Sequence, residues 1–456
     1  MNGISGINKG GITNPTTRAF AWASWESLRD FASILSSREP FYRVGLDITG
    51  FDLPLMVADL FRGFKKFLES SLEAFTGTVM VGASPYITTF VGRILGKFMF
   101  KGTDLKEDPL NYLKFSMAEL RDPEKFKTAA ERMRKEEIED KTFLELLYAR
   151  LNYKKKANDF NNEKKEIERF CKDFKPTDEN RKLIYKLKKA TIIAESFLEG
   201  GFWGGYGLIM RAFRKYVLRE DRFTGTKGYL SDTESQRLGE GGGLTWFQKI
   251  VGVAAMFIAP ALNAILLNKI ENREAVKNSK FLQIVDRQLD MTHGVYPKLG
   301  LLFTQTTIPK WIGTITLSQG WFERIERILK LFTVIPSWWC GHMLTNGTIA
   351  LKADKELAKK HNVNPGILVE PEYLEPVNEH SSLFERLTKR FPEPARIHHV
   401  MKSTEGEGKE VLQKEAEDLH AKCLYKGFAL HSLLVFGINL IVNHITKLRA
   451  LRAAGR

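Results

Sequence analysis

The chain has 456 residues, of which 43% are hydrophobic and 27% charged, and a net charge of +15. That length and apolar content suit two or three folded domains, so disorder is not the default. A slightly negative mean hydropathy excludes a transporter whose apolar helices follow one another without pause, so membrane content is expected to be local.

Residues 1–13 are polar and glycine-rich. They lack the apolar core of a secretory signal and the glycine at position two that myristoylation needs, so no export by an N-terminal signal is expected. Asn14, Pro15 and Thr16 open a predicted helix whose Phe20, Trp25, Leu28, Phe31 and Leu35 recur every three to five residues on one face. A second helix is predicted from Asp52 as N-cap, with Pro54 in the first turn, where a missing N–H costs nothing. Its apolar face reads Leu60, Phe61, Phe64, Phe67, Leu68 and Leu72. Lys65 and Lys66 lie between these anchors, the pattern of a helix in a membrane interface.

Four long runs without charged residues follow, at 74–92, 250–268, 331–351 and 427–446, counting His342 as neutral. Each approaches the roughly 20 residues that cross a hydrocarbon core. Trp246, Trp311, Trp321, Trp338 and Trp339 lie near or inside them, as aromatic residues do at membrane boundaries. Basic residues flank both ends: Lys65, Lys66, Arg93 and Lys97 around the first run, Lys249 and Lys269 around the second, Arg327, Lys330 and Lys352 around the third, and Lys422, Lys426, Lys447 and Arg449 around the fourth. Pro85, Pro260 and Pro336 fall inside three of the runs and are expected breaks, because proline removes a helical hydrogen bond. Breaks and two-sided positive charge together suggest re-entrant hairpins that enter from the cytoplasmic face, with spanning helices as the alternative.

Between the first two runs lies a stretch of closely mixed charge that reads as a soluble helical subdomain. Asp122-Pro123-Glu124 and Thr177-Asp178-Glu179 begin helices, and Phe143, Leu144, Leu146, Leu147 and Leu151 supply an apolar stripe. Gly239 to Gly243 reads as a flexible joint, residues 362–376 as a proline-bearing linker, and Ser382 with Glu385 as a capping box. Residues 408–452 read as one long helix, with His431, Ser432, Asn439 and Asn443 in a polar sector facing protein.

The organisation expected is thus 1–100, amphipathic helices and the first apolar run; 101–190, the charged helical subdomain; 191–360, a membrane-associated region rich in glycine and aromatics; 361–407, a linker with short helices; and 408–456, the long helix with its basic tail. The fold class is all-α and membrane-associated.

Chemistry is sparse in the sequence. Glu195 and Glu199 stand one helical turn apart before Gly200-Gly201-Phe202-Trp203-Gly204-Gly205-Tyr206, where they could divide acid and base roles while the glycines admit a substrate. Cys340 with His342 is poorly spaced for a shared helical face, and Cys171, Cys340 and Cys423 form neither a disulfide framework nor a zinc set, which points to a reducing, cytoplasmic compartment. No nucleotide loop, nucleophile elbow or HExxH pattern occurs, so no cofactor and no metal is expected. The expected partners are anionic lipids, with a second copy or another protein at the charged subdomain, and nucleic acid is not expected. The function so read is a membrane-bound structural, scaffolding or bilayer-shaping protein. A polytopic transporter or channel component is the first alternative, and a lipid-modifying enzyme using Glu195 and Glu199 is the second.

Overall fold

The computed structural model describes residues 15–36, 45, 47–106, 108–135, 174–241, 244–292, 296–342, 347–369 and 409–456. These are overwhelmingly helical, apart from the two-residue strands Met291–Thr292 and Tyr296–Pro297, which pair antiparallel. The apolar stripe at 143–151 and the capping box at Ser382 lie outside the described residues.

Local signals place many helix ends. Ser116 with Glu119, Ser231 with Glu234 and Thr245 with Gln248 form capping boxes, each satisfying two otherwise orphaned N–H groups. Helices run over Pro15–Ser36, Pro123–Lys135, Asp178–Phe213 and Lys409–Ala453, starting where the sequence places them. Asn362, at φ +52°, closes the Thr348–His361 helix in the left-handed conformation.

Four local expectations are corrected. The helix expected from Asp52 through Leu72 divides into Leu53–Leu60 and Phe64–Met99, because Gly63 takes φ +112°. Asp52 does not cap; its carboxylate accepts the Thr78 hydroxyl at 2.7 Å. Pro85, Pro260 and Pro336 lie inside the continuous helices Phe64–Met99, Trp246–Glu271 and Trp321–His342, so none is a turn between half-helices. A proline forfeits one hydrogen bond, a local cost that packing on either side outweighs. The Gly239 joint is not free: Glu240 is buried with its carboxylate on the Phe322 N–H at 3.1 Å, and the Gly241 N–H meets the Gln319 carbonyl at 2.8 Å.

The described residues fall into two compact units, each assembled from separated stretches of chain. The first draws on Met1–Phe41, Gly82–Leu208 and Leu244–Leu317; the second on Tyr42–Val81, Ile209–Gly243 and Ser318–Arg456.

In the first unit, Phe115, Phe126, Phe174 and Tyr112 pack with tilted rings in one buried cluster, and Ile192, Leu267, Ile270 and Leu301 form another. Lys188 is buried against Asp290 at 2.6 Å. The Pro15–Ser36 helix turns small residues inward and its apolar stripe outward. Ala19, Ala23 and Ser27 are buried, whereas Phe20, Trp25 and Leu28 are about half exposed (46%, 52% and 56%).

In the second unit, the Lys409–Ala453 helix packs on Trp321–His342 and Leu53–Leu60. His431, Asn439 and Asn443 of its polar sector are buried, as a protein-facing sector requires. Cys423 is buried and unpaired.

Two helices are long and apolar enough to cross a membrane, Trp246–Glu271 and a segment of the last helix, Tyr425–Ala453.

Candidate functional site

The glycine run after Glu199 stays helical within Asp178–Phe213. Glycine costs up to about 1 kcal/mol per residue in a helix interior, so its retention here needs a packing reason. That reason is close helix approach. A Cβ on Gly200 would collide with Ala259, one on Gly204 with the Ala255 carbonyl, and one on Gly207 would lie 2.9 Å from the Gly313 carbonyl. The glycines expected to admit a substrate instead admit the Trp246–Glu271 and Ile308–Thr316 helices, as small residues do between membrane helices.

This approach brings polar groups from four elements together. Asp178–Phe213 carries Glu195, Ser196 and Glu199; Phe64–Met99 carries Ser84 and Thr88; Trp246–Glu271 carries Asn263; and the π-helical turn Phe303–Thr307 carries Gln305. All are buried. The Thr88 hydroxyl donates to Glu195 Oε1, and Ser84 Oγ lies 3.5 Å from the same oxygen. Asn263 Nδ2 and Gln305 Nε2 donate to Ser196 Oγ at 2.8 and 3.1 Å. Among the described residues, Glu195 Oε2 and both Glu199 carboxylate oxygens have no hydrogen-bond partner. The π-turn supplies the geometry for Gln305, since one extra residue per turn rotates a side chain out of the regular register.

A second cluster occupies the other unit and is of opposite character. Asp59, Glu69, Glu73, Glu323 and Glu326 face Arg62, Lys66, Arg214, Arg327 and Lys330, so positive and negative charges balance. Arg214 uses all five of its donors: Nε and Nη2 reach Glu69 at 2.8 and 2.6 Å, Nη1 and Nη2 reach Glu323 at 2.8 and 2.6 Å, and Nη1 reaches Gln319 at 2.7 Å. Arg62 takes Glu326 end-on through Nη1 and Nη2 at 2.9 and 2.7 Å and also donates to Asn443 at 2.9 Å. The Phe223 ring lies among these cations, its centroid 4.9 Å from Lys66 Nζ and 5.3 Å from Arg214 Cζ. Burial raises the Glu69 and Glu326 carboxyls, but Arg214 and Lys66 around the first, and Arg62 and Lys330 around the second, hold both well below the ordinary value.

The residues expected at a membrane interface divide between interior and surface. Lys66 and Arg327 belong to the balanced network, Lys330 lies 3.2 Å from Glu326, and Lys65 pairs with Glu220. Arg93 is buried, 3.0 Å from Asp108 and 3.1 Å from Ser27 Oγ. Lys97 sits over the Trp22 ring, while Lys249, Lys269, Lys352 and Lys447 are exposed and Arg449 is half-buried.

Sequence reasoning found Glu195 and Glu199 but missed Ser84, Thr88, Asn263 and Gln305, whose spacing carries no motif. It also missed the balanced network, for which a signal exists. Arg62, Lys66, Glu69 and Glu73, and again Glu323, Glu326, Arg327 and Lys330, repeat at three- and four-residue intervals beside apolar runs. Among the described residues, no group of three or more His, Cys, Asp or Glu is placed to hold a metal ion. No protein family, curated protein or solved structure matches this chain.

Proposed function

We propose that this chain is a polytopic helical membrane protein acting as a transporter or channel component, with the Glu195–Glu199 cluster on its ion pathway. The carrying observation is a pair of buried carboxylates with unpartnered oxygens, packed against the membrane-length Trp246–Glu271 helix. Ionisable groups at such positions are expensive to keep and mark ion and proton routes. A passive scaffold has no use for them, and the proline breaks that favoured hairpin insertion fall inside helices.

Membrane embedding is supported by what the helices leave outside. Only 28% of the apolar window is buried in either candidate span, whereas the core helix of a soluble protein is mostly buried. Trp246, Phe247, Phe257 and Ile265 on the first, and Leu433 and Ile441 on the second, are exposed, as is the outward stripe of the Pro15–Ser36 helix.

The test uses the full chain. Alkaline extraction of membranes should leave it in the pellet. Reconstituted into liposomes with a voltage-sensitive dye, it should dissipate imposed proton, sodium, potassium or calcium gradients at least tenfold faster than the doubly substituted Glu195→Gln, Glu199→Gln chain. Release by alkali, or decay no faster than in protein-free liposomes for all four ions, overturns the reading and leaves a scaffold.

A further inference from the structure

Ser196 fixes the orientation of two side-chain amides. Its only hydroxyl proton goes to the Ile192 carbonyl at 2.6 Å, so it offers lone pairs alone to Asn263 at 2.8 Å and Gln305 at 3.1 Å. Both amides must therefore present nitrogen to Ser196. Their oxygens, Asn263 Oδ1 and Gln305 Oε1, are left buried without a hydrogen-bond partner among the described residues. Glu195 Oε2 and both oxygens of Glu199 are in the same condition on the helix that carries Ser196. Asn263 and Gln305 reach Ser196, the residue next to Glu195, and Ser84 Oγ lies 3.5 Å from Glu195; among the described residues neither Glu195 nor Glu199 forms an ion pair with a lysine, arginine or histidine.

Buried acceptors without donors are costly, and a buried carboxylate without a counter-charge more so. A metal cation answers both needs at once. The donor atoms are all oxygens, from carboxylate, amide and hydroxyl, which suit magnesium, calcium and manganese rather than thiolate- or imidazole-seeking metals. With both carboxyls deprotonated, one divalent ion neutralises their charge, whereas a monovalent ion leaves a net negative charge buried.

We infer that Glu195, Glu199, Ser84, Asn263 and Gln305 form a binding site for one hard divalent cation. The role of that ion in transport rests on the reading above; its binding does not.

Electron paramagnetic resonance of Mn2+ added to the detergent-solubilised full chain reads binding directly. One Mn2+ per chain is expected, displaced by Ca2+ or Mg2+ and not by Na+. Binding should weaken at least tenfold in Glu195→Gln and in Glu199→Gln and stay unchanged in Glu124→Gln, an exposed acid elsewhere. Should the glutamine variants fail to fold, the wild-type chain decides. Fe2+ with ascorbate and peroxide should then cut the backbone near Glu195–Glu199 and near Gln305. No Mn2+ binding, wild-type binding in both folded glutamine variants, displacement by Na+, or cleavage only elsewhere overturns the inference. Mn2+ binding without ion flux overturns the transport reading alone, and flux without Mn2+ binding overturns this inference alone.

Discussion

Arg214 and Glu323 meet end-on through two hydrogen bonds of 2.8 and 2.6 Å, with both side chains at most 5% exposed. Glu69 closes a second bidentate pair on the same guanidinium, so one arginine joins the Phe64–Met99 and Trp321–His342 helices. Planar bidentate pairing is specific to arginine. Replacing Arg214 by alanine should cost about 3–5 kcal/mol, the penalty of stranding buried carboxylates. Arg214→Lys should recover only part of this, since an ammonium cannot fill five donor positions. Thermal unfolding of the solubilised protein measures both, and equal stability of Arg214→Lys and wild type would remove the geometric argument.

Adjacent glycines should respond in opposite directions. Alanine at Gly204 must displace the Ala255 backbone, for which overpacking costs of about 1–3 kcal/mol are typical. Alanine at Gly205 meets only the flexible end of Met256 at 3.4 Å and gains helix propensity of up to about 1 kcal/mol. The melting temperature should therefore fall for Gly204→Ala and hold or rise for Gly205→Ala; a rise for both would mean the helices are not in backbone contact.

Two asparagines on the last helix separate a structural polar group from a dispensable one. Asn443 donates to the Ala58 carbonyl at 3.2 Å and to Asp59 at 3.0 Å, and accepts from Arg62 at 2.9 Å. Asn443→Leu leaves these groups short of partners, a loss of about 1–3 kcal/mol. Asn439 donates only to the Val435 carbonyl of its own helix, and its Oδ1 has no partner. Asn439→Leu should be neutral or stabilising. Denaturation of the two variants side by side checks the contrast.

Acid should undo the balanced network. Glu69 and Glu326 titrate well below their ordinary value of 4.5, so the folded state binds fewer protons than the unfolded chain as pH drops below that value. Their stabilisation is complete above about pH 4.5 and is lost as pH falls through the depressed folded values. Glu326→Gln should be less stable than wild type at pH 7, and the difference should shrink on acidification. A constant difference from pH 7 to pH 3 would show that the carboxylate is not the source of the stabilisation.

The helix starts at Pro15, Pro123 and Asp178 were legible because caps and first-turn residues act over three or four positions. The long final helix was legible because its polar sector keeps a period of 3.6 residues. Gly63 was not read as the end of the first helical stretch, since a single glycine in an amphipathic pattern carries no sign of its φ. The lysines and arginines beside the apolar runs were assigned to lipid headgroups by counting charge along the chain. Lys66, Arg93 and Arg327 in fact meet acids that lie far away in sequence or on the same helical face, and a linear count is blind to both.

By itself the sequence determined the helical class, where many helices begin, four uncharged runs of which two lie in helices long and apolar enough to cross a membrane, and the two acids one turn apart. These follow from composition and from periodicities within a few residues. Tertiary structure decided that Pro85, Pro260 and Pro336 are carried within helices, that the glycines after Glu199 serve helix approach, and that Ser84 and Thr88 meet Glu195 while Asn263 and Gln305 meet Ser196. Those outcomes depend on partners distant along the chain. A buried polar group takes whichever neighbour packing brings within about 3 Å, and no local pattern encodes that neighbour.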